Sequence, residues 1–425
     1  MSNLEKLAIC RGCLNDEFLK KIIITRSSKE QTCCSCKKKK KCGQYKDLAN
    51  ELEKVILEHY RLVSYTERYW SEANYSSEGD DLECIIQDIL GQEIPEIDQI
   101  VSYLCKEDAW SAVDGDTRFF DDTESYVRRK IYDDYFQLYW SELVEELKTT
   151  RRFFSDSAKK LFQEIFHDVE NMYAYQPHSS GHGYSNNKVS VILTIAKETQ
   201  IFRARRADTY EECRKYVQNP DKELSPPPSR FAQQGRMNAK GVSIFYGALN
   251  IETCIAEMRP SIGSYLVLGK FSPKRNLKIL DFKLLESSYP ALSYFQPDFK
   301  YQSMHKQFLR KLHKLISLPV INGHEDEYLI TQVLAEYLAY VRENNFDGIS
   351  FESTQFDGGA NIVLFPKKKL MVKNNFFAIN DDITDTQESI LDNFGLEFDS
   401  NSVDVYQTKK VKYETSSLYS GSFLE

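Results

Sequence analysis

The hydrophobic pattern of this 425-residue chain changes character near residue 187, and this change limits the folds that the chain can adopt. From about residue 46 to residue 175, apolar residues recur at spacings of three and four, as in LANELEKVILEHY and SDSAKKLFQEIFHDVENMY. Beyond residue 187, short runs rich in branched and aromatic residues, such as VSVILTI, SYLVLGKF and NIVLF, alternate with further helical stretches. The first pattern predicts amphipathic helices, and the second predicts strands mixed with helices. We therefore expect an α+β protein.

Changes in composition give the boundaries of the predicted domains. Residues 1–45 hold six of the ten cysteines and form a small N-terminal head, and residues 46–175 form an α-helical middle domain. Residues 176–188 contain Pro, Ser, Gly and Asn with almost no aliphatic residue, as is typical of a linker. Residues 189–415 form a mixed α/β domain that finishes with a closing strand within VDVYQTKKVKYE, and residues 416–425 are predicted to be a frayed tail.

Two Cys-x2-Cys pairs in the head have the spacing of a zinc knuckle. The pairs are separated by 19 residues, and the predicted ligands are Cys10, Cys13, Cys33 and Cys36. Four thiolates close a tetrahedron around Zn²⁺ without an open coordination position, so this zinc is predicted to be structural. Cys34 and Cys42 lie close in sequence, and either could replace one of these ligands. We expect chelation of the zinc to unfold only the head, because metal binding and folding are coupled in such sites.

The net charge of −8 is unevenly distributed along the chain. Residues 1–50 carry twelve Lys and Arg against five Asp and Glu, with a run of five lysines at Lys37–Lys41. The acidic remainder excludes nucleic-acid binding over the whole surface, whereas the basic head could contact nucleic acid or an acidic partner, or be a solvated surface. No apolar run approaches the roughly 18 residues of a membrane span, and MSNLEKLAIC lacks the apolar block of a signal peptide, so we expect a cytoplasmic protein without membrane contact.

Motifs in the mixed domain place chemically useful side chains in a regular order. IFRAR holds Arg203, GRMNAKG holds Arg236 and Asn238, FYGALNIETCIAE holds Tyr246 and Glu257, YLITQVLAEYL holds Gln332, and DGISFESTQFDGGANIVLF holds Ser353 and Asn361. Guanidinium groups bind phosphates, aromatic rings stack on flat heterocycles, and a carboxylate stabilises a developing positive charge. This combination suits an anionic dinucleotide.

In their order and intervals these motifs resemble the RES domain, a bacterial family named for Arg, Glu and Ser residues, over roughly residues 190–370. The resemblance implies an NAD-degrading toxin whose fold resembles that of ADP-ribosyltransferases. The head and the middle domain resemble, more loosely, the zinc-knuckle and HEPN-like extension that accompanies some RES domains. RNases of the HEPN type carry an Arg four to six residues before a His, which neither His59 nor His167 has. We therefore expect a scaffold, oligomerisation or regulatory role for the middle domain.

The resemblance also implies roles for the residues of these motifs. The implied catalytic residues are Glu257, Arg236, Tyr246 and Ser353, and the implied NAD-binding residues are Arg203, Arg236, Asn238, Tyr246 and Asn361. The arginines would hold the pyrophosphate, the tyrosine would stack on nicotinamide, and Ser353 with Asn361 would orient the nicotinamide ribose. One carboxylate, Glu257, is enough to cleave NAD, because nicotinamide leaves as a neutral molecule without a general acid. Glu252 is an alternative acid that looks more like a first-turn helix residue.

These expectations leave three functions open. The first is an NAD glycohydrolase or phosphorylase, with water or phosphate as the acceptor, that arrests growth in a toxin–antitoxin or antiphage setting. The second is an ADP-ribosyltransferase acting on a macromolecule. The third is a zinc-dependent sensor that binds nucleic acid or a partner without catalysis, although an intact set of Arg236, Tyr246 and Glu257 counts against it. The large extension predicts a homo-oligomer or a regulatory partner such as a cognate antitoxin, because an unregulated NAD hydrolase would kill its host.

Overall fold

The computed structural model describes residues 3–26, 29–63, 79–107, 118–177, 184–288, 292–317, 328–367 and 387–412. The chain divides into two compact units. Unit 1 contains Met1–Asp133 and Ala291–Met304, and unit 2 contains Asp134–Pro290 and His305–Glu425. Both units combine helices and strands, so the fold class is α+β, as predicted. The division differs from the predicted domain boundaries at residues 45 and 175.

Unit 1 combines helices with short antiparallel strands. Its elements are β1 (Ala8–Cys10), α1 (Glu17–Arg26), β2 (Lys29–Thr32), β3 (Lys39–Gln44), α2 (Tyr45–His59), β4 (Tyr60–Leu62), α3 (Leu82–Leu90), α4 (Ile97–Glu107) and β5 (Tyr126–Arg128). The first three strands form a sheet in the order β1-β3-β2, and β4 pairs with β5. The stretch ESYVRRKIYDDYF has a helical pattern of apolar residues, but its segment Tyr126–Arg128 forms strand β5. Its Tyr126 and Val127 favour extended backbone and pair with Leu62 and Arg61.

One hydrophobic core joins the cysteine-rich head to the helices that follow it. Ile9 of β1, Tyr45 of α2, Ile86 of α3 and Ile100 of α4 are fully buried in the same cluster. A head of some 45 residues has too much surface for its volume to bury an adequate core alone. This shared core explains why the head is not a separate unit.

Unit 2 contains a large sheet flanked by helices. Its elements are α5 (Asp134–Thr149), α6 (Asp156–Ile165), β6 (Tyr173–Pro177), β7 (Tyr184–Ser190), β8 (Ile192–Ile195), β9 (Ile201–Ala207), α7 (Tyr210–Gln218), α8 (Pro220–Leu224), β10 (Phe245–Ala248), α9 (Ile251–Glu257), β11 (Tyr265–Pro273), β12 (Leu277–Asp281), α10 (Phe282–Glu286), α11 (Phe299–Ser317, which belongs to unit 2 from His305 onward), α12 (Tyr328–Glu336), β13 (Gly348–Glu352), β14 (Ala360–Leu364), α13 (Gln387–Asp392), β15 (Leu396–Phe398) and β16 (Asp404–Gln407). A π-helical turn, Tyr337–Val341, continues α12.

The sheet of unit 2 has the strand order β15-β11-β9-β10-β14-β13-β12-β8, and β16 also pairs with β11. Strands β12 and β13 run parallel, whereas the other neighbours are antiparallel. Phe245, Val267, Ile279 and Ile362 are fully buried in the core of this sheet. The strand predicted near the C-terminus is present as β16, and the predicted tail 416–425 lies outside the described residues.

The predicted linker 176–188 is part of a hairpin rather than a loop along its whole length. Strand β6 pairs with β7, with Tyr173 opposite Ser190 and Tyr175 opposite Lys188. Pairing of this kind satisfies backbone hydrogen bonds whether or not the side chains are apolar, so a polar composition does not exclude a strand. Residues 178–183 lie outside the described residues. In the part of the chain that the structure describes, we find no helix with the length and apolarity required to cross a bilayer.

Candidate functional site

Unit 2 contains a cavity of about 450 Å³ beside the adjacent strands β9, β10 and β14. Its walls include Arg203 of β9, Arg236 of the loop before β10, Tyr246 of β10, Glu257 of α9 and Asn361 of β14. Cavities that hold small molecules and cofactors have volumes in this range and combine apolar walls with a few polar groups. The lining therefore brings five of the predicted site residues together.

The Glu257 carboxylate is fixed through one of its two oxygens. Asn250 caps the start of α9 by accepting a hydrogen bond from the Thr253 N–H at 2.7 Å, and Glu257 is the last residue of this helix. The Ser353 hydroxyl donates to Glu257 Oε1 at 2.6 Å, and Asn361 Nδ2 donates to the same oxygen at 2.7 Å. Among the described residues, Oε2 accepts no hydrogen bond. The carboxylate thus has a fixed orientation and one oxygen available to a ligand.

Ser353 lies directly behind Glu257 and not on the cavity wall. It follows β13, and its hydroxyl oxygen accepts hydrogen bonds from the N–H groups of Gln355 at 3.1 Å and Phe356 at 3.2 Å. A hydroxyl has a single proton to donate, and here that proton goes to Glu257. The turn after β13 therefore holds Ser353 as a donor to the carboxylate.

Arg203 is a partly buried cation that forms no ion pair among the described residues. It donates a hydrogen bond to the Tyr246 carbonyl oxygen at 2.6 Å, and its guanidinium lies 5.4 Å from the centre of the Phe245 ring. Burial lowers the pKa of Arg203 to about 10, because the charged form loses hydration. A charge that loses hydration without gaining a counter-ion is costly, and an anion bound in the cavity would offset this cost.

Arg236 lies in a loop whose position is fixed by α12. Its guanidinium donates to the Ile316 carbonyl oxygen and lies 5.8 Å from the centre of the Phe351 ring. Burial lowers the pKa of Arg236. Gln332 of α12 donates to the Gly235 carbonyl oxygen at 2.8 Å and does not line the cavity. Gln332 thus holds in position the loop that carries Arg236.

Tyr246 is held by the same loop. Its hydroxyl donates to Asn238 Oδ1 at 2.7 Å and accepts from the Met237 N–H at 3.0 Å, and burial raises its pKa to about 12. The Asn238 amide is itself buried and donates to the Gln233 carbonyl oxygen at 2.8 Å. A Cβ on Gly235 would lie 2.6 Å from Asn238 Oδ1, so the loop requires glycine there. Asn238 lies behind Tyr246 rather than on the cavity wall.

Some of the predicted site residues line the cavity, whereas others lie behind its wall. Asn238, Gln332 and Ser353 lie behind the wall. The alternative acid Glu252 is exposed in the first turn of α9 and does not line the cavity either.

The cavity is also lined by residues that the sequence did not single out, namely Cys254, Met258, Tyr328 and Phe351. Cys254, Tyr328 and Phe351 fall inside the quoted motifs, but their position on the wall depends on tertiary contacts that the motifs do not reveal. Burial raises the pKa of Cys254 to about 12, which disfavours a nucleophilic role.

A separate group of four cysteine sulfurs lies in unit 1. The Sγ atoms of Cys10, Cys13, Cys33 and Cys36 all lie within 4.8 Å of one another. Cys10 Sγ is 3.6 Å from Cys13 Sγ and 3.8 Å from Cys36 Sγ. Sulfurs bound tetrahedrally to zinc at 2.3 Å would be about 3.8 Å apart, so this group could hold a metal ion. Cys34 and Cys42 do not belong to it.

The backbone favours the thiolate at Cys33, whereas burial and hydrogen bonds with the neighbouring cysteines raise the pKa of Cys10 to about 12. The Cys10 N–H donates to Cys33 Sγ at 3.3 Å. Burial would raise the pKa of Cys33, but hydrogen bonds from the N–H groups of Cys36, Cys10 and Ser35 together lower it to about 6. Thiolates are the form that binds metal, so Cys33 is already suited to a cation, and the close approach of four sulfurs supplies the rest of the donor set.

Comparison with known families locates a match in the region of the cavity. A family model described as the RES domain matches residues 203–378. This range includes the cavity residues described above. No curated protein and no solved structure matches the chain. The likeness of the residues before 203 to a zinc-knuckle and HEPN-like extension stays a prediction.

Proposed function

Because residues 203–378 form a RES domain, we propose that the cavity binds NAD and that Glu257 promotes cleavage of the bond between nicotinamide and ribose. The main support is the arrangement of charges in the cavity. A carboxylate held on one oxygen by Ser353 and Asn361 shares the cavity with two guanidinium groups that form no ion pair within 4.0 Å among the described residues. This arrangement suits a substrate with an anionic part and a carbon that becomes cationic.

The free oxygen of Glu257 would act at the nicotinamide ribose. When the bond between ribose C1′ and the pyridinium nitrogen breaks, its electron pair stays with nicotinamide, and positive charge develops on the sugar. Glu257 Oε2 stabilises this charge or accepts a hydrogen bond from a ribose hydroxyl. The acceptor oxygen then forms a bond to C1′ and loses its proton. No acid is needed for the leaving group, which explains why a single carboxylate is enough.

The two arginines would bind the pyrophosphate of NAD. Each guanidinium can donate two parallel hydrogen bonds to phosphate oxygens, and two positive charges balance the two negative charges of the pyrophosphate. Partial burial of Arg203 and Arg236 strengthens this attraction, because the local dielectric constant is lower than in water. The rings of Tyr246, Phe351 and Tyr328 offer apolar walls for the two bases.

We further propose that the reaction arrests growth by consuming NAD, in a toxin–antitoxin or antiphage setting. Water or phosphate would serve as the acceptor, which makes the enzyme a glycohydrolase or a phosphorylase. In unit 1, the cysteine group would hold a structural Zn²⁺. Self-association or a partner such as an antitoxin would restrain the activity, and the basic head, with its exposed Lys37–Lys41, offers a contact for nucleic acid.

A comparison of NAD with its reduced form tests this proposal. We expect purified protein to release nicotinamide from NAD but to leave NADH intact, because the reduced ring is uncharged and would have to leave as an anion. The products are measured by chromatography after incubation with each dinucleotide at equal concentration. Consumption of both at similar rates, or of neither, would contradict a mechanism that depends on a neutral leaving group.

A further inference from the structure

A buried histidine meets the end of the strand that precedes Ser353. His313 of α11 is 4% exposed. Its Nε2 accepts a hydrogen bond from the Glu352 N–H at 3.3 Å, and its Nδ1 lies 2.6 Å from Glu286 Oε2 at the end of α10. Because Nε2 accepts, the ring proton is on Nδ1 and is donated to the Glu286 carboxylate. Both ring nitrogens are therefore engaged.

The position of His313 is explained by the lengths of the two parallel strands. Strand β12 ends at Asp281, opposite Ser350, whereas β13 continues to Glu352. Beyond Ser350, β13 has therefore lost its neighbour on that side, while it remains paired with β14 on the other, with Glu352 opposite Ala360. His313 Nε2 supplies the acceptor that the shorter strand lacks. The next residue along the chain is Ser353, whose hydroxyl donates to Glu257.

We propose that His313 is a positioning residue for Glu257. The Glu286 carboxylate orients the imidazole, the imidazole fixes the Glu352 N–H, and the fixed end of β13 delivers the Ser353 hydroxyl to Glu257 Oε1. This inference rests on the proposed function, since it assigns His313 a task in NAD cleavage. His313 itself does not line the cavity, so its task is to position other groups.

The charges around His313 are consistent with this role. Asp281 caps α10 by accepting from the Leu284 N–H at 2.7 Å, and burial raises the pKa of Asp281. Lys283 of α10 forms an ion pair with the Glu352 side chain. The backbone and the side chain of Glu352 are thus held by different elements, α11 and α10. A displacement of the order of 1 Å at a reacting group can lower a rate about 100-fold, so such support has measurable consequences.

His305 offers a matched control on the same helix. It is also buried, its Nε2 lies 2.8 Å from the Ile165 carbonyl oxygen, and its ring lies against the rings of Phe136 and His167. We expect His313→Phe to lower kcat for nicotinamide release about 10- to 100-fold with KM for NAD changed less than about threefold. His305→Phe should change neither constant more than about threefold, although both variants lower the thermal unfolding temperature. Steady-state kinetics and thermal unfolding of the full chain measure these effects.

Conservative replacement distinguishes positioning from a general loss of stability. His313→Gln retains a carbonyl oxygen for the Glu352 N–H and an amide donor for Glu286, and it should recover kcat to within about threefold of wild type. If His313→Phe does not yield folded protein, Glu286→Ala, which leaves the imidazole unoriented, should lower kcat without raising KM. An active wild type with equal kcat losses in His313→Phe and His305→Phe, or with no loss in His313→Phe, would overturn the inference. An inactive wild type would instead contradict the proposed function.

Discussion

Glu257→Gln is expected to lower the rate of nicotinamide release by two to three orders of magnitude, an effect of the size found when one electrostatic contact to a transition state is removed. Gln has the same shape as Glu, and its amide oxygen can still accept from Ser353 and Asn361. Its amide nitrogen would replace Oε2, so the negative charge that stabilises the cationic ribose is lost. Arg203 and Arg236 are unchanged, and we therefore expect NAD affinity to stay within about threefold. Single-turnover kinetics and calorimetric NAD binding measure the two quantities separately.

Glu252→Gln is the matched control for this experiment. Glu252 lies on the same short helix, is exposed and does not line the cavity, so its substitution should leave nicotinamide release within about twofold of wild type. Equal losses in the two variants would indicate a general effect on α9. Full activity of Glu257→Gln would remove Glu257 from the catalytic site.

Loss of metal from the cysteine group is expected to unfold the core of unit 1 as far as β5, and not only the first 45 residues. The sequence alone suggests the smaller unit, but the core that contains Ile9 also contains Tyr45, Ile100 and Tyr126. Structural zinc sites bind with apparent free energies of about 10–16 kcal/mol. A whole domain is stable by only about 5–15 kcal/mol. The metal can therefore determine whether unit 1 folds.

Hydrogen exchange measured by mass spectrometry follows this effect segment by segment. In Cys36→Ser protein, or after chelation, we expect the amides of α2, α3 and α4 to lose their protection, while the sheet of unit 2, which has its own core, keeps it. Cys84→Ser is the control, because Cys84 is an exposed thiol outside the metal-binding group. Freshly purified protein that contains no bound metal, or protection of α2 that is unchanged in Cys36→Ser, would contradict this expectation.

Local patterns predicted much of the fold, because strand and helix periods are properties of short segments. The runs IFRARR, SYLVLGKF and NIVLF coincide with most of β9, β11 and β14, and SMHKQFLRKLHKLI lies within α11. Errors arose where pairing with a distant segment determines the structure. The strand at Tyr126–Arg128 depends on β4, which lies more than 60 residues earlier in the chain. The hairpin of β6 and β7 likewise forms from residues whose composition is typical of a loop.

The candidate site was partly predictable for a similar reason. Motifs identify residue types, so Arg203, Tyr246 and Glu257 could be selected, and the structure brings them to one cavity. The spacing of motifs does not reveal which side chain forms a hydrogen bond with which partner. The hydrogen bond from Ser353 to Glu257 joins residues 96 positions apart, and that from Gln332 to Gly235 joins residues 97 apart. These contacts depend on the strand order of the sheet, which no local pattern specifies.

The most direct test of the central claim is to identify the bond that wild-type protein breaks in NAD. Nicotinamide, ADP-ribose, ADP-ribose phosphate, nicotinamide mononucleotide and AMP are separated by chromatography and quantified against the NAD consumed. We expect one nicotinamide for each NAD lost, because the free carboxylate oxygen is assigned to ribose C1′ and the arginines to the pyrophosphate. Intact NAD, or nicotinamide mononucleotide and AMP in place of nicotinamide, would show that this assignment is wrong.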